Sequence, residues 1–302
     1  MSDNINILSI TGGGIRGLLT LYVLKDLEDK LDKPLHTYFE YIAGTSTGGI
    51  IAIMLSCGYS VSHLIDLYET HGSSIFCKRP FRLGWFRPKY DDEYFNNILK
   101  DYLDGAETKT NLIVPSYNYT KKSKRIFNSY DPKDDSVSLF EVARSTSSAP
   151  SFFKPIKIEG DYYIDGGLVI NNPSQLAYTE AIKFINSRNT SYKKVNVFSF
   201  GTGRLDTEEM LKKNGGGKIF WAKASVDILL NEQAKTTDYF MSKMYKYQKG
   251  GKYFNIEPVI EKSSSKLDDA SASNMVDMKL DGEKSAELNS KNIRKIANTL
   301  RK

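Results

Sequence analysis

Two glycine-rich turns, each set between a short apolar run and an apolar helical pattern, constrain what this chain can fold into. Ile5 to Ile10 reads as a buried strand, and it runs into Gly12-Gly13-Gly14-Ile15-Arg16-Gly17. From Ile15 to Leu31, residues Leu18, Leu21, Tyr22, Leu24, Leu27 and Leu31 fall on one helical side. Tyr41 to Ala43 reads as a second strand, followed by Gly44-Thr45-Ser46-Thr47-Gly48-Gly49 and an apolar helix from Gly48 to Cys57 that Gly58 ends. Strand, glycine turn and helix, repeated in that order, predict a parallel α/β sheet.

Downstream, helices are expected over Val61 to Thr70, Asp91 to Leu103 and Leu139 to Ser145, and from Pro173 to about Ile185. Strands are expected over Asn111 to Tyr119, Lys124 to Asn128, Tyr162 to Asp165 and Val195 to Phe200. Ile219 to Tyr247 reads as a long helix, Ser263 to Ser273 as a polar loop, and Glu283 to Leu300 as an amphipathic helix. With no internal repeat and no long linker, residues 1–302 are expected to form one domain. Its motifs fall within 5–205, and the helical segment 219–302 is expected to pack on the same unit.

Composition narrows the class. Apolar residues make up 40 % of the 302 and charged residues 26 %, an ordinary globular mix. Cys57 and Cys77 are the only cysteines, which excludes a zinc cluster or a disulfide scaffold and favours a reducing compartment. No metal and no cofactor are expected. The net charge of +6 suits an anionic membrane surface or nucleic acid without selecting either. No recognisable binding module accompanies the basic residues, so nucleic acid is not expected as a partner. Met1 to Asn6 carries no signal-peptide pattern, and the apolar run Ile50 to Leu55 is too short to span a bilayer. The expected location is cytoplasmic or peripheral to a membrane.

Ser46 stands in G-x-S-x-G, where small neighbours let a sharp strand-to-helix turn present a hydroxyl at the carboxyl end of a sheet. The turn Gly12 to Gly17 admits two readings. It matches the dinucleotide fingerprint, but the acidic residue near the required distance, Glu40, precedes the second strand instead of ending it. Alternatively, its bare amides can face a developing oxyanion. Arg16 beside them could hold a phosphate or pair with a structural carboxylate. His36, His63 and His71 all precede Asp165, so nothing downstream completes a Ser-Asp-His order. If Ser46 is a nucleophile, its base is a carboxylate. Asp165, before Gly166-Gly167, suits that role or an ordinary Asp-Gly turn.

Together these motifs resemble the patatin-like phospholipase family. The resemblance extends to Ala143-Arg144-Ser145-Thr146-Ser147-Ser148-Ala149-Pro150 with Phe152-Phe153, to Asn171-Asn172-Pro173 and to Ser199-Phe200-Gly201-Thr202-Gly203. Leu267 to Ser271 and Asn274-Met275 are similar to the plant patatins. It implies a three-layer α/β/α sandwich with a mostly parallel central sheet, and a serine lipid acyl hydrolase of the phospholipase A type. Ser46 would be the nucleophile, Asp165 the base, and Gly12, Gly13 and Gly14 the oxyanion hole. The implied substrate is a membrane phospholipid or glycolipid. A lysophospholipase, galactolipase, acyltransferase or weakly active storage or lipid-binding protein would carry the same core, and a protein activator stays open. Thr11 departs from the aspartate that often precedes the three glycines in the family.

Phe76 to Lys89 interleaves aromatic and basic residues with no acid. Its Trp85, Phe86, Arg82 and Arg87 are candidates for membrane contact. Packing of these aromatics on the core is the alternative.

Overall fold

The computed structural model describes residues 4–77, 88–187, 192, 194–203, 218–247 and 250–301. Its sheet runs in the order β5-β6-β3-β2-β1-β7-β8, with β4 also paired to β3. The strands are β1 (Asn4–Ile10), β2 (Tyr41–Gly44), β3 (Asn111–Asn118), β4 (Ser123–Asn128), β5 (Ile156–Ile158), β6 (Asp161–Ile164), β7 (Lys194–Phe200) and β8 (Tyr253–Ile256). Strands β8, β7, β1, β2 and β3 are mutually parallel, while β4, β5 and β6 form an antiparallel edge.

Successive side chains on the parallel strands leave by opposite faces. Ile7, Ala43, Ile113 and Val197 point into one core; Leu8, Ile42, Val114 and Phe198 point into the other. The first face is covered by α6 (Ser174–Ser187) and by Met241 of α7 (Lys218–Tyr247). The second, larger core is closed by α1 (Gly17–Glu28), α2 (Thr47–Cys57), α3 (Val61–Ile75), α4 (Asp92–Leu103) and α5 (Leu139–Ser147). It also takes in α8 (Ala272–Leu288) and α9 (Ser290–Leu300). Helix, sheet and helix therefore form the three layers expected.

Three departures trace to contacts made in the assembled fold. The helix expected over Glu283 to Leu300 is the end of α8 and all of α9, broken at Asn289. Its first six residues lie in α8, where Gly282 sits against Tyr22 of α1 and buried Asp281 accepts the Glu261, Lys262 and Ser263 amides. Long-range contacts there override weak helix formers. β5 and β8 are too short to show a period; β8 forms by pairing with β7 and β5 with β6.

Candidate active site

β1 and β2 run parallel and in register, so the two glycine-rich turns emerge side by side at the carboxyl ends of neighbouring strands. That edge is where open α/β sheets bind ligands. Glu40, by contrast, lies at the opposite end and accepts the Asn6 amide at 2.6 Å. Glu40 therefore does not reach the glycine turn, as a dinucleotide site would need it to.

The serine turn is shaped by backbone contact. A Cβ on Gly44 would fall 1.9 Å from the Gly48 carbonyl, and one on Gly48 would fall 2.4 Å from that of Ile10. Between them Ser46 adopts φ 54°, ψ −125°, a conformation that costs a non-glycine residue about 1–3 kcal/mol. The Ser46 side chain does not cap α2, although it stands at the amino end of that helix. Its Oγ instead donates to Asp165 Oδ2 at 2.7 Å. The other carboxylate oxygen, Oδ1, accepts the Gly167 amide at 2.7 Å. Both expectations for Asp165 thus meet in one side chain: one oxygen shapes the turn and the other faces the serine.

Asp165 is 6 % exposed. Burial pushes its carboxyl up to about 6, against the downward pull of the Ser46 and Gly167 hydrogen bonds. Desolvation of the charged form moves its titration towards neutral pH, the range that suits a general base. No histidine lines the cavity. His63 stacks on Tyr59, and His71 Nδ1 bonds the Tyr94 hydroxyl at 2.8 Å.

In the glycine turn the amides divide. The Gly12 N–H donates to the Asn171 carbonyl at 3.1 Å and the Ile15 N–H to the Leu267 carbonyl at 2.9 Å. The Gly13 and Gly14 N–H groups have no partner among the described residues. An oxyanion hole here would draw on those two amides, while Gly12, whose amide is engaged, provides close packing against Ser46. Gly14 has φ +60°, and a Cβ there would fall 2.1 Å from the Leu267 carbonyl oxygen. The Thr202 hydroxyl anchors the loop by donating to the Gly12 carbonyl at 2.9 Å. Thr11 contributes its amide to the Phe200 carbonyl. Arg16 is 4 % exposed, and its Nε donates to the Gly13 carbonyl at 3.4 Å. Burial lowers its guanidinium to about 10, while Glu257 and Asp227 favour the charged form. This contact ties the Arg16 side chain to the glycine turn itself.

Ser46, Asp165 and the three glycines line one cavity of about 1500 Å³, above the 300–1,000 Å³ usual for small-molecule sites. Its lining includes the apolar Ile50, Leu67, Ile75, Phe76, Phe95 and Phe153 and the polar Asn171, Asp227, Asn231, Lys235 and Glu257. Phe76 packs edge-on against Tyr90, and Lys89 bonds Asp268, so both described ends of the segment 76–89 face inward. Trp85, Phe86, Arg82 and Arg87 lie outside the described residues. Among the described residues no helix is long and apolar enough to cross a membrane.

Several supporting residues carry no catalytic pattern in the sequence. Gln233 of α7 accepts the Asn171 amide and donates to the Val169 carbonyl, holding the segment that receives the Gly12 amide. Asn171 and Thr202 stand in blocks that the family resemblance marks, but their bonds join segments far apart in sequence.

A family model for patatin-like phospholipases matches residues 8–178, which hold both glycine-rich turns and Asp165. The chain belongs to the patatin-like phospholipase family. Among its curated relatives, patatin-like protein 2 of Arabidopsis thaliana is 30 % identical over 294 residues, covering 80 % of this chain and 72 % of that protein. The cGAMP-activated phospholipase of Pseudomonas aeruginosa is 30 % identical over 275 residues, covering 86 % and 80 %. Human calcium-independent phospholipase A2-gamma is 34 % identical over 202 residues, covering 58 % of this chain and 26 % of that longer protein.

Proposed function

We propose that this member of the patatin-like phospholipase family is a serine lipid acyl hydrolase of the phospholipase A type. In this reading it works through Ser46 and Asp165. The observation that carries the proposal is the 2.7 Å bond from Ser46 Oγ to a buried carboxylate oxygen of Asp165, beside two glycine amides that have no partner among the described residues.

Ser46 Oγ attacks the ester carbonyl of the lipid, and Asp165 Oδ2 takes its proton. The Gly13 and Gly14 amides receive the negative charge on the carbonyl oxygen. One such donor is typically worth about 3 kcal/mol in the transition state. Collapse expels the alcohol portion, which recovers the proton from Asp165, and leaves the acyl group on Ser46. A water then gives its proton to Asp165, attacks the acyl carbon and releases the fatty acid, restoring Ser46. The raised pKa of Asp165 narrows the gap to the serine hydroxyl, and no imidazole is needed. The apolar residues of the lining suit an acyl chain, and its polar residues suit a phospholipid or glycolipid headgroup. The enzyme would meet its substrate as a peripheral visitor to the membrane.

The test is fatty-acid release from mixed phospholipid vesicles by wild type and by Ser46→Ala. Release by wild type that falls to background in the variant is the expected result. Undiminished release by a folded Ser46→Ala protein would overturn the reading.

A further inference from the structure

We infer that Thr146 is a positioning residue: its hydroxyl holds Ser46 at the angle from which the serine reaches Asp165. The inference rests on the proposed roles of those two residues. It begins with the strained turn. Ser46 keeps a positive φ, and such a conformation persists only where its surroundings over-determine it. The flanking glycines create room for the turn but supply no force that holds it.

That force comes from the last turn of α5. The Ser46 N–H donates to Thr146 Oγ1 at 3.0 Å, across 100 positions of sequence. Thr146 Oγ1 in turn donates to the Pro115 carbonyl at 2.7 Å. A hydroxyl has one proton, and here it goes to Pro115, so the lone pair faces Ser46. The chain of donors has one direction, and neighbouring bonds in such a chain polarise each other. Thr146 is fully buried, so no water competes for either bond. Its methyl faces Gly49, where an added Cβ would approach within 2.7 Å.

The same turn of helix also fixes the base. The Asp165 N–H donates to the Ser148 carbonyl at 3.1 Å. Gly166, next in sequence, lies so close to the Pro115 carbonyl that a Cβ would fall 2.1 Å from its oxygen. Residues 146 and 148 thus connect the nucleophile's backbone and the base's backbone to one rigid reference. Ser116, one layer below, bonds the Ser145 and Ile164 carbonyls and touches neither reacting group. It is the natural comparator for a merely structural hydroxyl.

The experiment measures steady-state kcat and KM on a short-chain soluble ester, together with the rate at which a serine-reactive phosphonate probe labels Ser46. The proteins compared are wild type, Thr146→Val, Thr146→Ser, Thr146→Cys and Ser116→Ala. Thr146→Val keeps the shape and removes both bonds. Its kcat and labelling rate should fall on the order of 100-fold with KM within about threefold of wild type, since a small misplacement of reacting atoms has that cost. Thr146→Ser should restore both rates to within a few-fold, and Ser116→Ala should leave them near wild type even where it lowers the melting temperature. If Thr146→Val does not fold, the comparison of Ser with Cys decides, because a thiol is a weak acceptor. A slower Cys variant with unchanged KM supports the inference, and equal rates overturn it. A folded Thr146→Val protein at wild-type kcat, or a Ser116→Ala protein as slow as Thr146→Val, also overturns it. Wild type that neither hydrolyses the ester nor takes the probe would instead overturn the proposed role of Ser46 itself.

Discussion

The turn after β1 and the turn after β2 both leave a buried parallel strand, both enter a helix, and lie side by side at one edge of the sheet. They differ in what fixes them. The glycine turn is held at its ends, where Asn171, Thr202 and Leu267 engage Gly12 and Ile15, and its middle amides have no partner among the described residues. The serine turn is held at its centre, where the Ser46 amide is bound and the side chain is thrust out at a positive φ. One architecture therefore gives two different surroundings. In the proposed mechanism the two middle amides receive the negative charge. Forcing one side chain into a strained position makes a candidate nucleophile.

The largest expected break in this comparison is Asp165→Asn, which removes the proposed proton acceptor. Its turnover should fall about 10³-fold or more, as loss of a working member of such a unit typically does. In wild type, kcat/KM should rise with pH through about 6 as Asp165 loses its proton. Stability should move the other way. The folded pKa of Asp165 is raised above its ordinary value, so this group favours the fold most below about 4 and progressively less as pH rises through 6. At pH 8 the Asp165→Asn protein should melt no lower than wild type, with an advantage on the order of 2–3 kcal/mol at most that shrinks towards pH 4. Thermal unfolding at the two pH values checks the sign. A large loss of stability at pH 8 would mean that the carboxylate is chiefly structural.

A smaller effect should come from Gly14→Ala. It puts a methyl against the Leu267 carbonyl at a positive φ and displaces the amide beside it. Turnover should fall on the order of 10²-fold, the effect of losing one oxyanion donor. Gly105→Ala also falls at a positive φ but meets nothing within 4 Å. It should cost about 1 kcal/mol of stability and leave turnover unchanged. Equal losses of activity in the two alanine variants would argue that strain, not the Gly14 amide, is responsible.

The front of the fold was legible because its signals are local. A short apolar run marked β1, and the two glycine turns marked the entries to α1 and α2. Gly58, at φ +95°, ends α2 where expected. Short edge elements such as β5 were not legible, since three residues carry no period and the strand exists through its pairing with β6. Within the site, Ser46 and Asp165 could be singled out by their turns. Thr146 and Gln233 could not be given roles, because those roles are single hydrogen bonds to residues distant in sequence. Nor could the raised pKa of Asp165 be read, because it comes from burial that only the assembled layers create.

The most direct test of the central claim is to find the acyl group. Wild-type protein mixed with excess phospholipid and quenched in acid should yield, by peptide mass spectrometry, one fatty-acyl ester, located on Ser46. It should be absent from Ser46→Ala. An acyl group on another residue, or hydrolysis by Ser46→Ala at the wild-type rate, would contradict the account.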